Sequence, residues 1–166
     1  LGFCAVMAFA TYAHFGAAQY FDEGTGRRTF VHTWDMRQHF PTAKYFREVG
    51  YDGATLASLA AYADDNPEFA QHRLADVRVR DQRDGQIRLG RDLGDDLARA
   101  KARFSPERWQ AFRSDMRYFA NAMGEAEYLA AMQDHGIEAT PAWLLPASLI
   151  LGHVPASEGT LTFTGL

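Results

Sequence analysis

The chain has 166 residues, enough for one domain with a sizeable hydrophobic core but not for two domains of ordinary size. Its formal net charge is −4 and its acidic and basic residues are interspersed, so the sequence predicts no basic face for nucleic acid. A single cysteine, Cys4, excludes an internal disulfide and a cluster of thiolate metal ligands.

The first segment, residues 1–21, carries no formal charge before Asp22. A helix of that length is about 30 Å long, close to the thickness of a bilayer core. We therefore predict a transmembrane anchor at 1–21, in contact with membrane lipid. A buried globular helix and a secretory signal peptide are the alternatives. Arg27 and Arg28 do not decide the topology, because the segment that follows is too long for the positive-inside rule.

Helical patterns dominate the rest of the chain. Thr33 is a candidate N-cap for a helix that Pro41 should interrupt, and a second helical piece should run from Pro41 to a stop at Gly50. Ser105, followed by proline and glutamate, is a strong helix start. Further helices are predicted at 53–65, 105–123 and 125–135.

One stretch changes its period. In residues 76–90, valine, isoleucine and leucine alternate with polar residues on both sides of Asp84-Gly85, a common hairpin turn. A small two-stranded hairpin is predicted there. Five apolar residues later in the chain recur at spacings of three and four, which is typical of a buried helix face rather than a cofactor site. They are Trp109, Phe112, Met116, Phe119 and Met123.

These patterns predict a mainly α protein in three parts. The parts are a transmembrane helix at 1–21, a compact helical lobe at 22–140 with one small β-hairpin, and a segment at 141–166. The last segment has an apolar half-span containing Pro146, so it should lie at the membrane interface or begin a second span.

The candidate chemistry is concentrated in residues 32–39. His32, Asp35 and His39 are three and four residues apart, so a continuous helix would place them on one face as possible zinc or iron ligands. The alternative is an ordinary polar helix face. Asp35 could instead be a general base, or a surface carboxylate paired with Arg28, Arg37 or Lys44. The chain contains no phosphate-binding loop or catalytic-serine motif, and no cofactor is predicted.

Several short motifs resemble a known superfamily. An apolar segment followed by "WD" at 34–35, "AKYFREVGYDG" at 43–53 and "TPAW" at 140–143 is similar to the opening of bacterial polyprenyl-phosphate-dependent glycosyltransferases of the GT-C superfamily. The resemblance implies that Asp35 is a catalytic base and that 22–140 faces the periplasm. Two departures stand out: Met36 follows Asp35 where an acidic pair is expected, and the further spans of such enzymes are missing from these 166 residues.

The length favours an accessory subunit over the complete enzyme. We expect the chain to lie at a bacterial inner membrane and bind a larger integral-membrane complex, for example a photosynthetic or respiratory one. A glycosyltransferase N-terminal part with Asp35 as base, and a periplasmic metal-binding domain, are the alternative hypotheses. The expected partner interface consists of Trp34, Phe40, Tyr45, Phe46, Tyr51, Trp143, Leu144 and Leu145.

Overall fold

The computed structural model describes residues 2–12, 17, 20–136 and 140–165. This part of the chain is mainly helical with two small hairpins, which confirms the predicted class. The helices are α1 (Gly2–Tyr12), α2 (Thr33–Lys44), α3 (Phe46–Val49), α4 (Ala54–Asp65), α5 (Pro67–His72), α6 (Gly94–Ala102), α7 (Pro106–Met123), α8 (Glu125–Ala130), α9 (Pro141–Leu151) and α10 (Glu158–Gly165). The strands are β1 (Phe21–Asp22), β2 (Arg27–Arg28), β3 (Arg78–Arg80) and β4 (Ile87–Leu89).

The predicted anchor is only partly visible. Helix α1 has 11 residues, and residues 13–16, 18 and 19 of the predicted span lie outside the described part of the chain. Within the residues described, no helix combines the length and the apolar character that crossing a membrane requires. The span at 1–21 therefore stays a prediction.

The core forms where α2, α4 and α7 pack together, with α6 against α4 and α9 against α2. The predicted stripe on α7 is buried in this core, and Phe112 and Phe119 are fully enclosed. Ser105 begins α7 as predicted, because its hydroxyl accepts a hydrogen bond from the backbone N–H of Arg108 at 3.3 Å. The apolar period therefore correctly identified the central helix.

Helix α2 differs from the prediction in two respects. It continues through Pro41 to Lys44, whereas an interruption was expected. Proline removes one backbone donor, but the burial of this helix outweighs that loss. The N-cap position is His32 rather than Thr33, whose hydroxyl instead donates to buried Asp22 at 2.6 Å. One uninterrupted helix thus carries residues 33–44.

The predicted hairpin at 76–90 is confirmed as β3 and β4. They pair antiparallel with Arg78 opposite Leu89, and Gly85 in the turn has a φ of 73°.

A second hairpin, β1 and β2, corrects the expectation of a single one. Its turn is held against the end of α7 because the N–H of Gly24 donates to the Ala122 carbonyl at 2.9 Å. A Cβ on Gly24 would lie 2.0 Å from a backbone oxygen, so only glycine fits there.

A charged cluster ties the chain after α9 to the core. The carboxylate of Asp115 is 2 % exposed and accepts from Lys44 Nζ at 2.8 Å and the Tyr45 hydroxyl at 2.7 Å. The backbone N–H of Ala156 donates to the same carboxylate at 2.8 Å, and Lys44 also donates to the Val154 carbonyl at 2.7 Å. This Asp115 cluster joins α2, α7 and the segment between α9 and α10.

Candidate functional site

A polar groove of about 410 Å³ opens beside the first turns of α2. The opposite wall is the segment after α8. The lining residues are His32, Trp34, Asp35, Gln38, His39, Asp134 and Gly136. Because α2 is continuous, residues three and four apart along it share this wall. The groove therefore brings together the residues singled out by the sequence and two acidic or amide groups that were not.

Asp35 is the accessible carboxylate of the groove. Its side chain is 56 % exposed, and its Oδ2 lies 2.7 Å from Nδ1 of His32. An imidazole N–H pointed at a carboxylate fixes the orientation of the ring and leaves the other ring nitrogen for further hydrogen bonding. The pair can therefore accept a proton from a hydroxyl that enters the groove.

Contacts of Trp34 and His39 join the α2 wall of the groove to the segment after α8 and to α9. The indole N–H of Trp34 donates to Asp134 Oδ2 at 2.6 Å, joining α2 to the segment after α8. The His39 ring packs against Trp143 of α9, with 5.4 Å between ring centroids. His39 is therefore directed by an aromatic contact, whereas His32 is directed by Asp35.

These placements do not assemble the predicted metal site. Within residues 2–12, 17, 20–136 and 140–165, no group of three or more His, Cys, Asp or Glu side chains could hold a metal ion. His32, Asp35 and His39 do line one groove, but His32 and Asp35 are engaged with each other and His39 with Trp143. Helical spacing alone was thus insufficient to predict coordination geometry.

Two neighbouring buried side chains on α2 lack a full set of partners. Arg37 is 1 % exposed and donates to the Ala131 carbonyl at 3.2 Å, with its guanidinium 5.2 Å from the centre of the Tyr128 ring. Burial lowers the pKa of Arg37, partly offset by Tyr128. Arg37 Nε and Gln38 Nε2 are buried without a hydrogen-bond partner among the described residues. Such donors are costly to leave unpaired.

An apolar face lies at the C-terminal end of α2, beside α3 and α9. A pocket of about 200 Å³ there is lined by seven residues without formal charge, and Leu149 extends this face one turn along α9. Leu145 is 69 % exposed and Leu149 is 79 % exposed. The residues that line the pocket are Thr42, Ala43, Phe46, Tyr51, Leu144, Leu145 and Ser148. We call these residues, together with Leu149, the apolar face.

The predicted interface residues divide between this face and the core. Phe46, Tyr51 and Leu145 are exposed on the apolar face, and Trp34 and Trp143 are half-buried. The remaining three are buried in the core, and only one of them, Leu144, also lines the apolar pocket. They are Phe40, Tyr45 and Leu144.

Sequence reasoning did not single out Gln38 or Asp134 as members of the groove. Gln38 lies three residues after Asp35, so its place on the same helix wall could have been found from spacing. Asp134 is 100 residues away from Trp34 along the chain, and no local pattern could have predicted their contact.

Comparison with known proteins gave no match. The comparison covered family models, curated proteins and solved structures.

Proposed function

We propose that the chain is a membrane-associated accessory domain that binds a larger integral-membrane complex through its apolar face. The observation that carries this proposal is the exposure of Leu145 and Leu149 beside Phe46 and Tyr51. Contiguous exposed apolar side chains commonly mark protein or membrane contact sites. Aromatic residues at the centre of such a surface are typical anchors of interfaces.

The chemistry of the face favours an apolar partner. The pocket contains no charged side chain, so a partner would make few ion pairs there. Helix α1 adds a second uncharged surface, on which Phe3 and Phe9 are exposed. The surface of a transmembrane helix bundle, with its lipid, matches both features. We further propose that the lobe faces the periplasm, as the resemblance to periplasmic loops of membrane enzymes implies.

Charging the apolar face should release the chain from its partner. With Leu145→Asp and Leu149→Asp combined, we expect the protein to leave the large complex, because burying two carboxylates against an apolar surface is unfavourable. Native membranes solubilised in mild detergent would be separated by size, and the chain followed by mass spectrometry. Ala98→Asp with Gln110→Asp, at exposed positions of α6 and α7, is the matched control and should remain bound. A wild-type chain that migrates alone as a monomer would overturn the proposal.

The polar groove favours a second candidate function. In this alternative the chain is part of a polyprenyl-phosphate-dependent glycosyltransferase, and Asp35 is the general base for an acceptor hydroxyl. The supporting observation is that Asp35 is exposed inside a groove and held by His32 at 2.7 Å. The apolar face would then pack against further spans of the same polypeptide, and the reading frame would continue beyond Leu166 into those spans.

Asp35→Asn tests the second candidate. Asparagine preserves the shape of the side chain but cannot accept a proton, so sugar transfer should fall by roughly 100-fold or more. Transfer would be measured in membranes from a radiolabelled polyprenyl-phosphate sugar. Asp92→Asn, at an exposed position outside the groove, should retain full transfer. Equal transfer by wild type and Asp35→Asn would exclude Asp35 as the base.

A further inference from the structure

A cavity of about 450 Å³ lies between the C-terminal halves of α4 and α7. Gly24 in the turn of the β1–β2 hairpin and Gly124 at the start of α8 also line it. This α4–α7 cavity shares no lining residue with the polar groove beside α2 or with the apolar face. Its volume is within the range of ordinary small-molecule sites.

The two carboxylates that line the α4–α7 cavity are already engaged. One oxygen of Asp65 accepts from Arg113 Nε at 2.8 Å, and the other accepts from Nε and Nη2 of Arg117 at 3.1 and 3.0 Å. The carboxylate of Glu125 is paired with Arg73. A cationic ligand would have to compete with these guanidinium groups for either carboxylate. The lining therefore disfavours a cation.

The donors that remain lie on α7. Among the described residues, Nη1 of Arg117 and the side-chain amide of Asn121 have no hydrogen-bond partner. Both side chains are accessible, since that of Arg117 is 56 % exposed and Asn121 is exposed. They are four residues apart and therefore neighbours on one face of the helix. Because two arginines share the single carboxylate of Asp65, one positive charge is in excess there, which favours an anion.

Tyr62 supplies a fixed aromatic wall of the cavity. Its hydroxyl donates to Glu125 at 3.1 Å, and its ring packs edge-on against Phe69 with 4.8 Å between ring centroids. Burial, and then the hydrogen bond to Glu125, raise the pKa of Tyr62 to about 12, so the hydroxyl stays protonated and keeps this bond at neutral pH. Half-buried Ala120 adds further apolar surface. A flat apolar body fits beside such a wall.

We propose that the α4–α7 cavity binds a small monocarboxylate with a flat apolar body. The carboxylate accepts hydrogen bonds from Arg117 and Asn121, and the apolar body packs against the Tyr62 ring. This carboxylate site is separate from both candidate functions, because it uses neither the polar groove nor the apolar face.

The test uses the full chain, ¹⁵N-labelled, in mild detergent at about neutral pH, followed by two-dimensional NMR. Benzoate, benzamide and benzamidine are the main probes, because they have nearly the same shape but carry a negative, no and a positive charge. Acetate and inorganic phosphate are anions without the apolar body. Benzoate should shift the Nε–H signal of Arg117 and the side-chain amide signal of Asn121 saturably, and should bind roughly tenfold more tightly than each other probe.

Each probe can contradict a different part of the proposal. Absence of a saturable shift with benzoate would overturn the site. Benzamide or benzamidine binding as tightly as benzoate would overturn the preference for a carboxylate. Acetate or phosphate binding as tightly as benzoate would overturn the role of the apolar body.

Two variants test the carboxylate contacts. Arg117→Gln removes the charge, so benzoate affinity should fall roughly tenfold. Asn121→Asp places a negative charge beside the ligand carboxylate and should weaken binding by a similar factor. Arg103→Gln and Gln110→Glu make the same changes of charge at exposed positions outside the cavity, and both should bind like wild type.

Wild-type affinity in either cavity variant would overturn the contact assigned to that residue. Circular dichroism would verify that each variant is folded. Asn121 has no hydrogen bond to lose within the described part of the chain, so Asn121→Asp remains informative even if Arg117→Gln does not fold.

Discussion

Replacing Asp115 by alanine is expected to destabilise the fold by about 3–5 kcal/mol, because it leaves the buried ammonium of Lys44 without its carboxylate. Lys44 Nζ lies 2.8 Å from Asp115 and its side chain is 8 % exposed. The Tyr45 hydroxyl and the Ala156 N–H lose the same acceptor. The pKa of Tyr45 is raised in the wild-type protein, first by burial and then by this carboxylate, so its hydroxyl stays protonated and continues to need an acceptor.

The free energy of unfolding would be measured by urea titration in detergent, with circular dichroism as the signal. Asp92→Ala removes an exposed carboxylate on the surface and should change the unfolding free energy by less than about 0.5 kcal/mol. Asp115→Ala together with Lys44→Met should be more stable than Asp115→Ala alone, since no unpaired charge is then buried. If Asp115→Ala lowers the free energy of unfolding by less than about 1 kcal/mol, the prediction is wrong, and water then replaces the carboxylate as the partner of Lys44.

A second large effect is expected in acid at the β3–β4 hairpin. Asp81 is 1 % exposed and accepts from Arg83 Nε at 2.9 Å and from Arg83 Nη2 at 2.6 Å, with Arg88 as a further partner. Hydrogen bonding from Arg83, which outweighs the effect of burial, lowers the pKa of Asp81 from 3.8 to about 2. The difference corresponds to about 2 kcal/mol of folding free energy.

The sign of this effect follows from the lowered pKa. The unfolded chain binds the proton more readily, so the stabilisation is complete above about pH 4 and is lost as the pH falls through about 2. Urea titrations at a series of pH values, on wild type and Asp81→Asn, isolate this contribution from those of other carboxylates. The difference in unfolding free energy between wild type and Asp81→Asn should be largest above pH 4 and should become smaller in acid. A gap that stays constant down to pH 2 would contradict the prediction.

Local patterns predicted local structure well. The stripe from Trp109 to Met123 and the turn at Asp84-Gly85 each depend on neighbours within a few residues, so the period of the sequence carries the information. The prediction that Pro41 interrupts α2 was wrong, because the local cost of proline was outweighed by burial against distant helices. The β1–β2 hairpin was missed for a related reason, since the fit of Gly24 against the end of α7 is a long-range contact.

The candidate site was predictable only on its helical side. The spacing of His32, Asp35 and His39 correctly indicated a shared wall, and Gln38 lies on it too. Nothing local in the sequence indicated that Asp134 forms the facing wall, or that the Asp115 cluster involves residues near 155. The predicted interface contained buried residues for the same reason: Phe40 and Tyr45 have the composition of a contact surface, but tertiary packing encloses them.

The Asp115 cluster also bears on how the apolar face would meet the proposed partner. The chain leaving α9 is fixed where Lys44 donates to Val154 and where Ala156 donates to Asp115. Leu145 and Leu149 are therefore presented on a helix whose exit is already ordered. Association through such a preorganised surface costs little conformational entropy, so the affinity for the partner should depend mainly on shape complementarity. Loosening the segment after α9 should therefore weaken binding even if every contact residue on the apolar face is unchanged.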